Sequence, residues 1–282
     1  MRRDRPAAEA GPQPAARFFP KVRAEAGRPV LRIEDLAMRY GDGEPVVEGA
    51  SLEVLQGELV SLVGPSGSGK STILRAVSGL HAPAAGRIEA AVGPREIGFL
   101  FQDDALLPWR TARHNVALGL RLQGMDGKAA SDEAEQWLVR LGLPGLGGRY
   151  PRQLSGGQRK RVALAQVLAL KPRLLLMDEP FASLDAIVRH RITQDLLGWV
   201  EREGISVLLV THDLEEAQAL SDVVYLLSQG PRARIRNRYE VAIPRPRNLI
   251  AARGHPSFPP LLQRIWRDLS EEVDIDVGEP RP

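Results

Sequence analysis

The sequence contains no cysteine, which excludes disulfide bonds, thiolate catalysis and cysteine-based zinc sites. Its apolar runs are short, and none reaches the length of about 18 residues that a membrane-spanning helix needs. No apolar stretch follows Arg2 and Arg3, as one would in a secretory signal. These absences are compatible with a reducing compartment, and we expect a soluble, cytosolic protein.

The composition is that of an ordinary globular protein. The 282 residues are 43% hydrophobic and 26% charged, enough for one large domain with an ample core. The net charge of +3 is small, and we expect no nucleic-acid partner. Residues 1–28 are rich in alanine, proline and arginine without periodicity, which predicts a disordered extension.

Strand-like and helix-like segments alternate along the chain. The continuous apolar runs LVSLVG (59–64), RLLLMD (173–178) and ISVLLVTH (205–212) are typical of strands that are buried on both faces. Helical patterns follow each run, so the sequence predicts an α/β fold with a largely parallel sheet.

Residues 103–153 have helical periodicity interrupted by several breakers, which predicts an inserted helical subdomain. Within it, SDEAEQWLVRLGL offers Ser131 and Asp132 as candidate helix caps. An apolar stripe follows at Ala134, Trp137, Leu138 and Leu141. We interpret Trp137 as a core anchor.

The stretch GPSGSGKST matches the phosphate-loop pattern, with a buried strand before it and a helix after it. Its glycines allow backbone N–H groups to face a phosphate, and the helix N-terminus adds partial positive charge. Lys70 would contact the β- and γ-phosphates, and the Ser71 hydroxyl would bind Mg²⁺. The loop consists of Gly64, Pro65, Ser66, Gly67, Ser68, Gly69, Lys70, Ser71 and Thr72.

Two adjacent carboxylates, Asp178 and Glu179, stand at the end of a buried strand, where ligands gather in open α/β sheets. Neighbouring residues on a strand point in opposite directions, so the two side chains can have different roles. We expect Asp178 to hold Mg²⁺, through water, and Glu179 to activate the attacking water as general base.

A second glycine-rich stretch, LSGGQ (154–158), is followed at once by a helical segment. Ser155, Gly156 and Gly157 could bind an anion, and a plain helix-capping turn is the alternative. In combination with the phosphate loop and the carboxylate pair, this stretch resembles the nucleotide-binding subunits of ABC (ATP-binding cassette) transporters. The resemblance covers roughly residues 30–247.

The resemblance implies a P-loop NTPase cassette with a RecA-like α/β core, an N-terminal antiparallel β subdomain and an inserted helical subdomain at about 103–165. The cassette would span residues 29–247, followed by a short tail at 248–282. Its LLQRIWRDL would form a small amphipathic helix that packs on the core or on the membrane permease of the transporter.

The resemblance also implies roles for single residues, with ATP and Mg²⁺ as cofactors. Tyr40 would stack on adenine, Gln102 would contact Mg²⁺ and link the site to the helical subdomain, and His212 would sense the γ-phosphate. Ser183, Leu184 and Asp185 match the loop after the catalytic glutamate. The implied catalytic residues are Glu179, His212 and Gln102. The implied metal contacts are Ser71, Gln102 and Asp178. The implied nucleotide contacts outside the phosphate loop are Tyr40, Ser155, Gly156, Gly157, Gln158 and Asp185.

Members of this family pair head to tail, and each LSGGQ closes over the ATP held by the partner's phosphate loop. Leu106–Trp109 is an apolar stretch in a region that should be exposed, which suggests the docking surface for an integral-membrane permease. The alternative is that Trp109 packs within the subdomain. The chain would then lie on the inner face of the cell membrane.

The motifs LLPW, MDEPFASLD and IPRPR resemble the branch that serves nitrate, taurine and aliphatic sulfonate uptake, in which a binding protein delivers the solute. The alternative is a soluble ATPase of the same superfamily, acting in DNA repair, chromosome organisation or translation. Such proteins usually carry a long coiled-coil insertion or two cassettes in one chain, and neither is present here. We interpret the basic run from Arg232 to Arg247 as a solvated edge rather than a nucleic-acid or lipid surface.

Overall fold

The computed structural model describes residues 27–182 and 184–273. The predicted extension, apart from Gly27 and Arg28, and the predicted loop residue Ser183 lie outside the described residues. The strands are β1 (Pro29–Arg39), β2 (Pro45–Leu55), β3 (Leu59–Val63), β4 (Ala85–Ala90), β5 (Ile97–Leu100), β6 (Leu174–Asp178), β7 (Ser206–Val210), β8 (Val223–Leu227) and β9 (Ile235–Glu240). The helices are α1 (Lys70–Val77), α2 (Ala112–Leu122), α3 (Gly127–Arg140), α4 (Gly156–Leu168), α5 (Ala186–Glu203), α6 (Leu214–Leu220), α7 (Leu249–Arg253) and α8 (Phe258–Val273).

The central sheet has the strand order β5-β6-β7-β3-β8-β9, and only the β8–β9 pair is antiparallel. Every residue of β3, β6, β7 and β8 is buried, because helices or a second sheet cover both faces. In β6, Leu174 and Leu176 join one core cluster while Leu175 and Met177 join the other. This confirms the predicted α/β fold with a largely parallel sheet.

A smaller antiparallel sheet of order β2-β1-β4 covers one face of the central sheet. Its buried residues form one core with Ile73 and Leu74 of α1 and with Val60 and Leu62 of β3. The antiparallel contribution near the N-terminus is therefore confirmed. The sequence analysis missed β4, because five of its six residues are exposed and it carries no apolar alternation.

The other face of the central sheet carries the helices of the inserted region, in which α2, α3 and α4 pack on one another. Trp137 is fully buried, with its ring 5.3 Å from that of Trp199, so its interpretation as a core anchor is confirmed. The predicted caps of α3 were wrong. The helix begins at Gly127, and the Asp126 carboxylate accepts the first N–H bonds, which leaves Ser131 and Asp132 inside the helix.

The tail packs on the core. The Phe258 carbonyl at the start of α8 accepts a hydrogen bond from Gln218 Nε2 (2.8 Å), and the Asp268 carboxylate accepts one from the Tyr239 hydroxyl (2.5 Å). None of the described helices combines the length and hydropathy that would let it cross a bilayer.

The solvated-edge interpretation of Arg232–Arg247 is wrong at its end. Arg247 is buried (5% exposed), donates to two backbone carbonyls and pairs with Asp222 Oδ1 at 2.9 Å. Several exposed arginines of the run are paired with carboxylates, as Arg236 is with Glu272 (2.6 Å). The run is therefore tied to the fold by ion pairs.

Candidate functional site

The candidate site lies at the carboxyl ends of β5, β6, β7 and β3, which are neighbours in the central sheet. Gly64 follows β3, Glu179 follows β6, and His212 lies two residues after β7. Parallel strands end at the same edge of a sheet, so these segments, far apart in sequence, come together there.

The phosphate loop between β3 and α1 requires glycine at two positions. A Cβ on Gly64 would lie 2.6 Å from the Leu227 carbonyl oxygen, and one on Gly69 would lie 2.6 Å from Val47 Cγ2. Gly69 also has the left-handed φ of 94°. Because Gly69 supplies no capping side chain, the first N–H groups of α1 remain available to a phosphate.

Lys70 is buried at the start of α1 and is held by its own loop. Its ammonium donates to the carbonyl oxygens of Gly64 (2.9 Å) and Pro65 (2.7 Å), and it lies 3.4 Å from Ser68 Oγ. Burial lowers the pKa of Lys70, and the nearby Glu179 and Asp178 carboxylates oppose that shift. The charge is thus positioned before any phosphate arrives.

Ser71 and Asp178 are in direct contact, as Ser71 Oγ donates to Asp178 Oδ1 over 2.7 Å. Burial raises the pKa of Asp178, the Ser71 hydrogen bond lowers it, and the neighbouring Glu179 raises it further. A hydroxyl and a carboxylate are oxygen ligands of the kind Mg²⁺ prefers, together with water and phosphate oxygens. These two residues therefore fit a Mg²⁺ site that the nucleotide completes.

Glu179 does not continue the strand. It has the left-handed φ of 42°, and its N–H donates to the Val210 carbonyl (2.9 Å). Its Oε2 lies 3.0 Å from His212 Nδ1. Glu179 therefore lies outside β6, and the strand alternation from which we expected the two carboxylates to diverge does not extend to it. A left-handed glutamate is a strained conformation that tertiary contacts must hold.

Tyr40 and Gln102 border this centre. The Tyr40 hydroxyl is 3.1 Å from Thr72 Oγ1 on α1, and its half-exposed ring lies 4.7 Å from the His81 ring. Gln102 is the second residue after β5, and its side chain is exposed. Among the described residues, no hydrogen bond joins that side chain to Ser71 or Asp178.

LSGGQ forms the N-terminus of α4 with a reciprocal capping box. Ser155 Oγ accepts from the Gln158 N–H (3.3 Å), and Gln158 Oε1 accepts from the Ser155 N–H (2.9 Å). Gly157 packs so tightly that a Cβ would lie 2.6 Å from Val188 Cγ1. Asp185 caps α5 by accepting from the Val188 N–H (3.0 Å). Within one chain, LSGGQ is therefore a helix-capping turn, which was the alternative given in the sequence analysis. This does not exclude anion binding by the same loop.

The comparisons with known proteins agree with this geometry. The profile of the family described as ABC transporter matches residues 47–182. A probable sulfate/thiosulfate import ATP-binding protein of Chlorella vulgaris is 41% identical over 220 residues, which cover 75% of this chain and 93% of that relative. The chain belongs to the ABC transporter family.

Two further relatives of this ABC subunit are bacterial. The taurine import ATP-binding protein of Escherichia coli K12 is 44% identical over 207 residues, covering 72% of this chain and 81% of the relative. An aliphatic sulfonates import ATP-binding protein of Xanthomonas axonopodis pv. citri is 40% identical over 279 residues, covering 96% of this chain and 89% of the relative. These import subunits favour a transporter role over a soluble ATPase.

Among solved structures, a dimeric ATP-binding cassette in a post-hydrolysis state, bound to ADP and Pi, has a TM-score of 0.67. Its sequence is 30% identical, and the match covers 76% of this chain and 99% of that one. The cassette fold is thereby confirmed.

Sequence reasoning missed two buried polar residues near the site. Asn115, fully buried on α2, binds the loop before it: its Oδ1 accepts from the Leu107 N–H (2.7 Å), and its Nδ2 donates to three loop carbonyls. Lys160 is buried on α4 beside Leu164 and Leu168. A lysine in the apolar stripe of a helix was the available signal, because a buried ammonium must find acceptors.

Proposed function

We propose that this chain is the ATP-hydrolysing, energy-coupling subunit of an importer for a small solute, with nitrate, taurine and aliphatic sulfonates as the leading candidates. The observation that carries the proposal is the convergence of Lys70, the Ser71–Asp178 contact and the Glu179–His212 contact at one sheet edge. The relatives named above for taurine and aliphatic sulfonate import support the choice of solute.

ATP binding would begin at the phosphate loop. The N–H groups of the loop at 64–72, except at Pro65, and the Lys70 ammonium would surround the β- and γ-phosphates. Lys70 would exchange its carbonyl partners for phosphate oxygens. Tyr40, beside α1, would stack on the adenine. Mg²⁺ held by Ser71 and Asp178, with Gln102 approaching later, would supply positive charge at the phosphates.

Hydrolysis would depend on Glu179. Its carboxylate would accept a proton from the water that attacks the γ-phosphorus, as the bond to the β-phosphate oxygen of the leaving ADP breaks. The contact between Glu179 Oε2 and His212 Nδ1 (3.0 Å) would orient the carboxylate and leave Oε1 for the water. His212 is largely exposed in the single chain, so it could also reach the γ-phosphate.

A second copy of the chain would complete the site. The N–H groups of Gly156 and Gly157, which the capping box does not use, and the Ser155 hydroxyl would contact the ATP held by the partner's phosphate loop. Gln158 and Asp185 would lie beside them. The dimeric cassette neighbour supports this arrangement. Binding of two ATP would hold the dimer closed, and hydrolysis would release it.

The permease would dock on Leu106–Trp109, which lies in a loop that Asn115 holds in one conformation. Trp109 is 71% exposed, whereas Leu106 packs on the core. A rigid loop that presents a tryptophan is suited to a partner surface, since little order is lost on binding. The chain would thus sit on the inner face of the membrane, and a separate binding protein would deliver the solute.

The deciding experiment captures the closed complex. Tagged Glu179→Gln protein, which should bind MgATP but not turn it over, is used to pull partners from native membranes with MgATP, and these are identified by mass spectrometry. We expect a multi-span permease. Adding Trp109→Ala should remove the permease, whereas the control Val139→Ala, which changes another exposed apolar side chain, should not.

Recovery of only soluble or nucleic-acid-bound proteins would contradict the importer and favour a soluble ATPase. Unchanged permease recovery with Trp109→Ala would contradict the docking surface alone. The permease's own binding protein can then be titrated with taurine, aliphatic sulfonates and nitrate to identify the solute.

A further inference from the structure

Lys160 of α4 has an environment that packing alone does not explain. Its side chain is 1% exposed, and its ammonium lies 3.0 Å from Asp104 Oδ1, 3.0 Å from the Gln102 carbonyl oxygen and 3.4 Å from that of Phe101. An ammonium has three N–H donors, and here three acceptors surround it. All three acceptors belong to one segment, residues 101–104, directly after β5.

Asp104 extends these contacts to the second glycine-rich loop. Its Oδ2 accepts from Arg159 Nε (3.2 Å), and Arg159 Nη1 donates to the carbonyl oxygen of Leu154 (2.9 Å), the first residue of LSGGQ. A continuous set of hydrogen bonds thus runs from the LSGGQ loop, through Asp104 and Lys160, to the backbone of Gln102. The ammonium is its buried centre, whereas Arg159 is half exposed.

These contacts restrain Gln102 in a particular way. The Gln102 carbonyl is fixed from the α4 side, while its side chain is exposed and free to turn. A movement of α4, which carries LSGGQ at its N-terminus, would therefore carry the backbone of Gln102 with it. The bonds to Lys160 should persist during such a movement, because losing them would leave its buried ammonium without acceptors.

We propose that Lys160 is a positioning residue, which sets the place of Gln102 relative to the nucleotide bound by the same chain. When LSGGQ closes over the ATP on the partner chain, Lys160 would move Gln102 into the ATP site of its own chain. This rests on the role proposed above for Gln102. Lys160 shares no contact with the phosphate loop, so its loss should change turnover and leave ATP affinity nearly unaltered.

The test uses the full chain and steady-state ATPase kinetics. Lys160→Met should lower kcat roughly tenfold with KM for MgATP changed less than about twofold. Lys160→Gln, which can still donate to a backbone carbonyl, should recover part of kcat. The matched control is Arg161→Met. It removes a neighbouring contact of α4, to Asp195 and the Leu141 carbonyl, and should leave kcat unchanged even if the melting temperature falls.

A double-mutant cycle separates this inference from the role of Gln102. If Gln102→Ala alone leaves kcat unchanged, the proposed role of Gln102 fails. If Gln102→Ala lowers kcat, Lys160→Met should cause little further loss in that background. Wild-type kcat in Lys160→Met, or a loss that simply multiplies with that of Gln102→Ala, would overturn the positioning role. Should Lys160→Met not fold, Lys160→Gln replaces it with an expected loss of kcat smaller than tenfold. An unchanged kcat, or a loss that multiplies with that of Gln102→Ala, would then overturn the positioning role.

Discussion

The two glycine-rich loops have similar compositions, but they differ in whether side chains cap the helix that follows. In the loop at 64–72, the Leu227 carbonyl leaves no room for a side chain at Gly64, and valine side chains leave none at Gly69. No side chain caps the helix that follows. In LSGGQ, the side chains of Ser155 and Gln158 accept hydrogen bonds from each other's N–H groups and so cap α4, and Ser155 is exposed. The first loop is surrounded by the groups it needs within its own chain. The second begins at an exposed serine, and we proposed above that its nucleotide is held by another copy of the chain.

The largest effect should follow from breaking the first loop. Lys70→Ala removes the buried charge expected to face the β- and γ-phosphates, and ATPase activity should fall by about 10²-fold or more. Phosphate release measured at saturating MgATP tests this. The matched control Lys128→Ala changes an exposed lysine at the start of α3 and should leave ATPase activity unchanged. Wild-type turnover in Lys70→Ala would remove the basis for the assignment of the phosphate site.

Breaking the second loop should give a loss that another chain can repair. A side chain at Gly156 would meet only ordinary contacts at 3.8 and 3.9 Å, so Gly156→Asp should fold. Its negative charge would face the partner's phosphates and lower ATPase activity about tenfold or more. The matched control is Gly148→Asp, at an exposed position with open space, and it should retain activity.

Mixing the two variants sharpens the comparison. In a heterodimer of Lys70→Ala and Gly156→Asp chains, one composite site has both loops intact. An equal mixture should therefore recover activity, up to about a quarter of wild type if the sites act independently. If cross-linking shows that heterodimers form but activity does not recover, the two sites hydrolyse ATP only together. Full activity of Gly156→Asp alone would contradict the shared site.

The first loop could be predicted from sequence because its requirements are local. A strand, a glycine pattern and a helix follow one another within residues 59–77, and the apolar run before the loop indicates burial on both faces. The carboxylate pair was predictable for the same reason, since it ends the buried run of β6. The edge strand β4 was not, because its exposed residues carry no pattern.

The parts that sequence reasoning missed depend on partners distant in the chain. Arg247 can be buried because Asp222 and two carbonyls accept its hydrogen bonds, and Lys160 can be buried because residues 101–104 accept those of its ammonium. The left-handed backbone of Glu179 is held by an N–H bond to Val210 on another strand. No periodicity within a single segment records such pairings, so the alternating-strand argument could not predict the backbone of Glu179.

The smallest effect concerns stability. It should have opposite signs at Asp178, which contacts Ser71 of the first loop, and at Ser155 of the second loop. Burial raises the pKa of Asp178, so between its ordinary and raised pKa the native state binds more protons than the unfolded state does. The free energy of unfolding therefore falls as pH rises through that window, and the cost is fully present above it. Asp178→Asn should remove this cost and stabilise the nucleotide-free protein by about 1 kcal/mol at pH 8.

Urea unfolding in EDTA at pH 5 and pH 8 measures this difference, and the gain from Asp178→Asn should be larger at pH 8. At the second loop, Ser155→Ala removes the cap of α4 and should lose about 1 kcal/mol, with a similar loss at both pH values. An Asp178→Asn variant that is less stable than wild type at pH 8 would mean that the carboxylate stabilises the empty fold. With the predicted signs, the Asp178 carboxylate beside the first loop destabilises the empty fold and is kept as a ligand for Mg²⁺. Ser155, in contrast, stabilises its own chain.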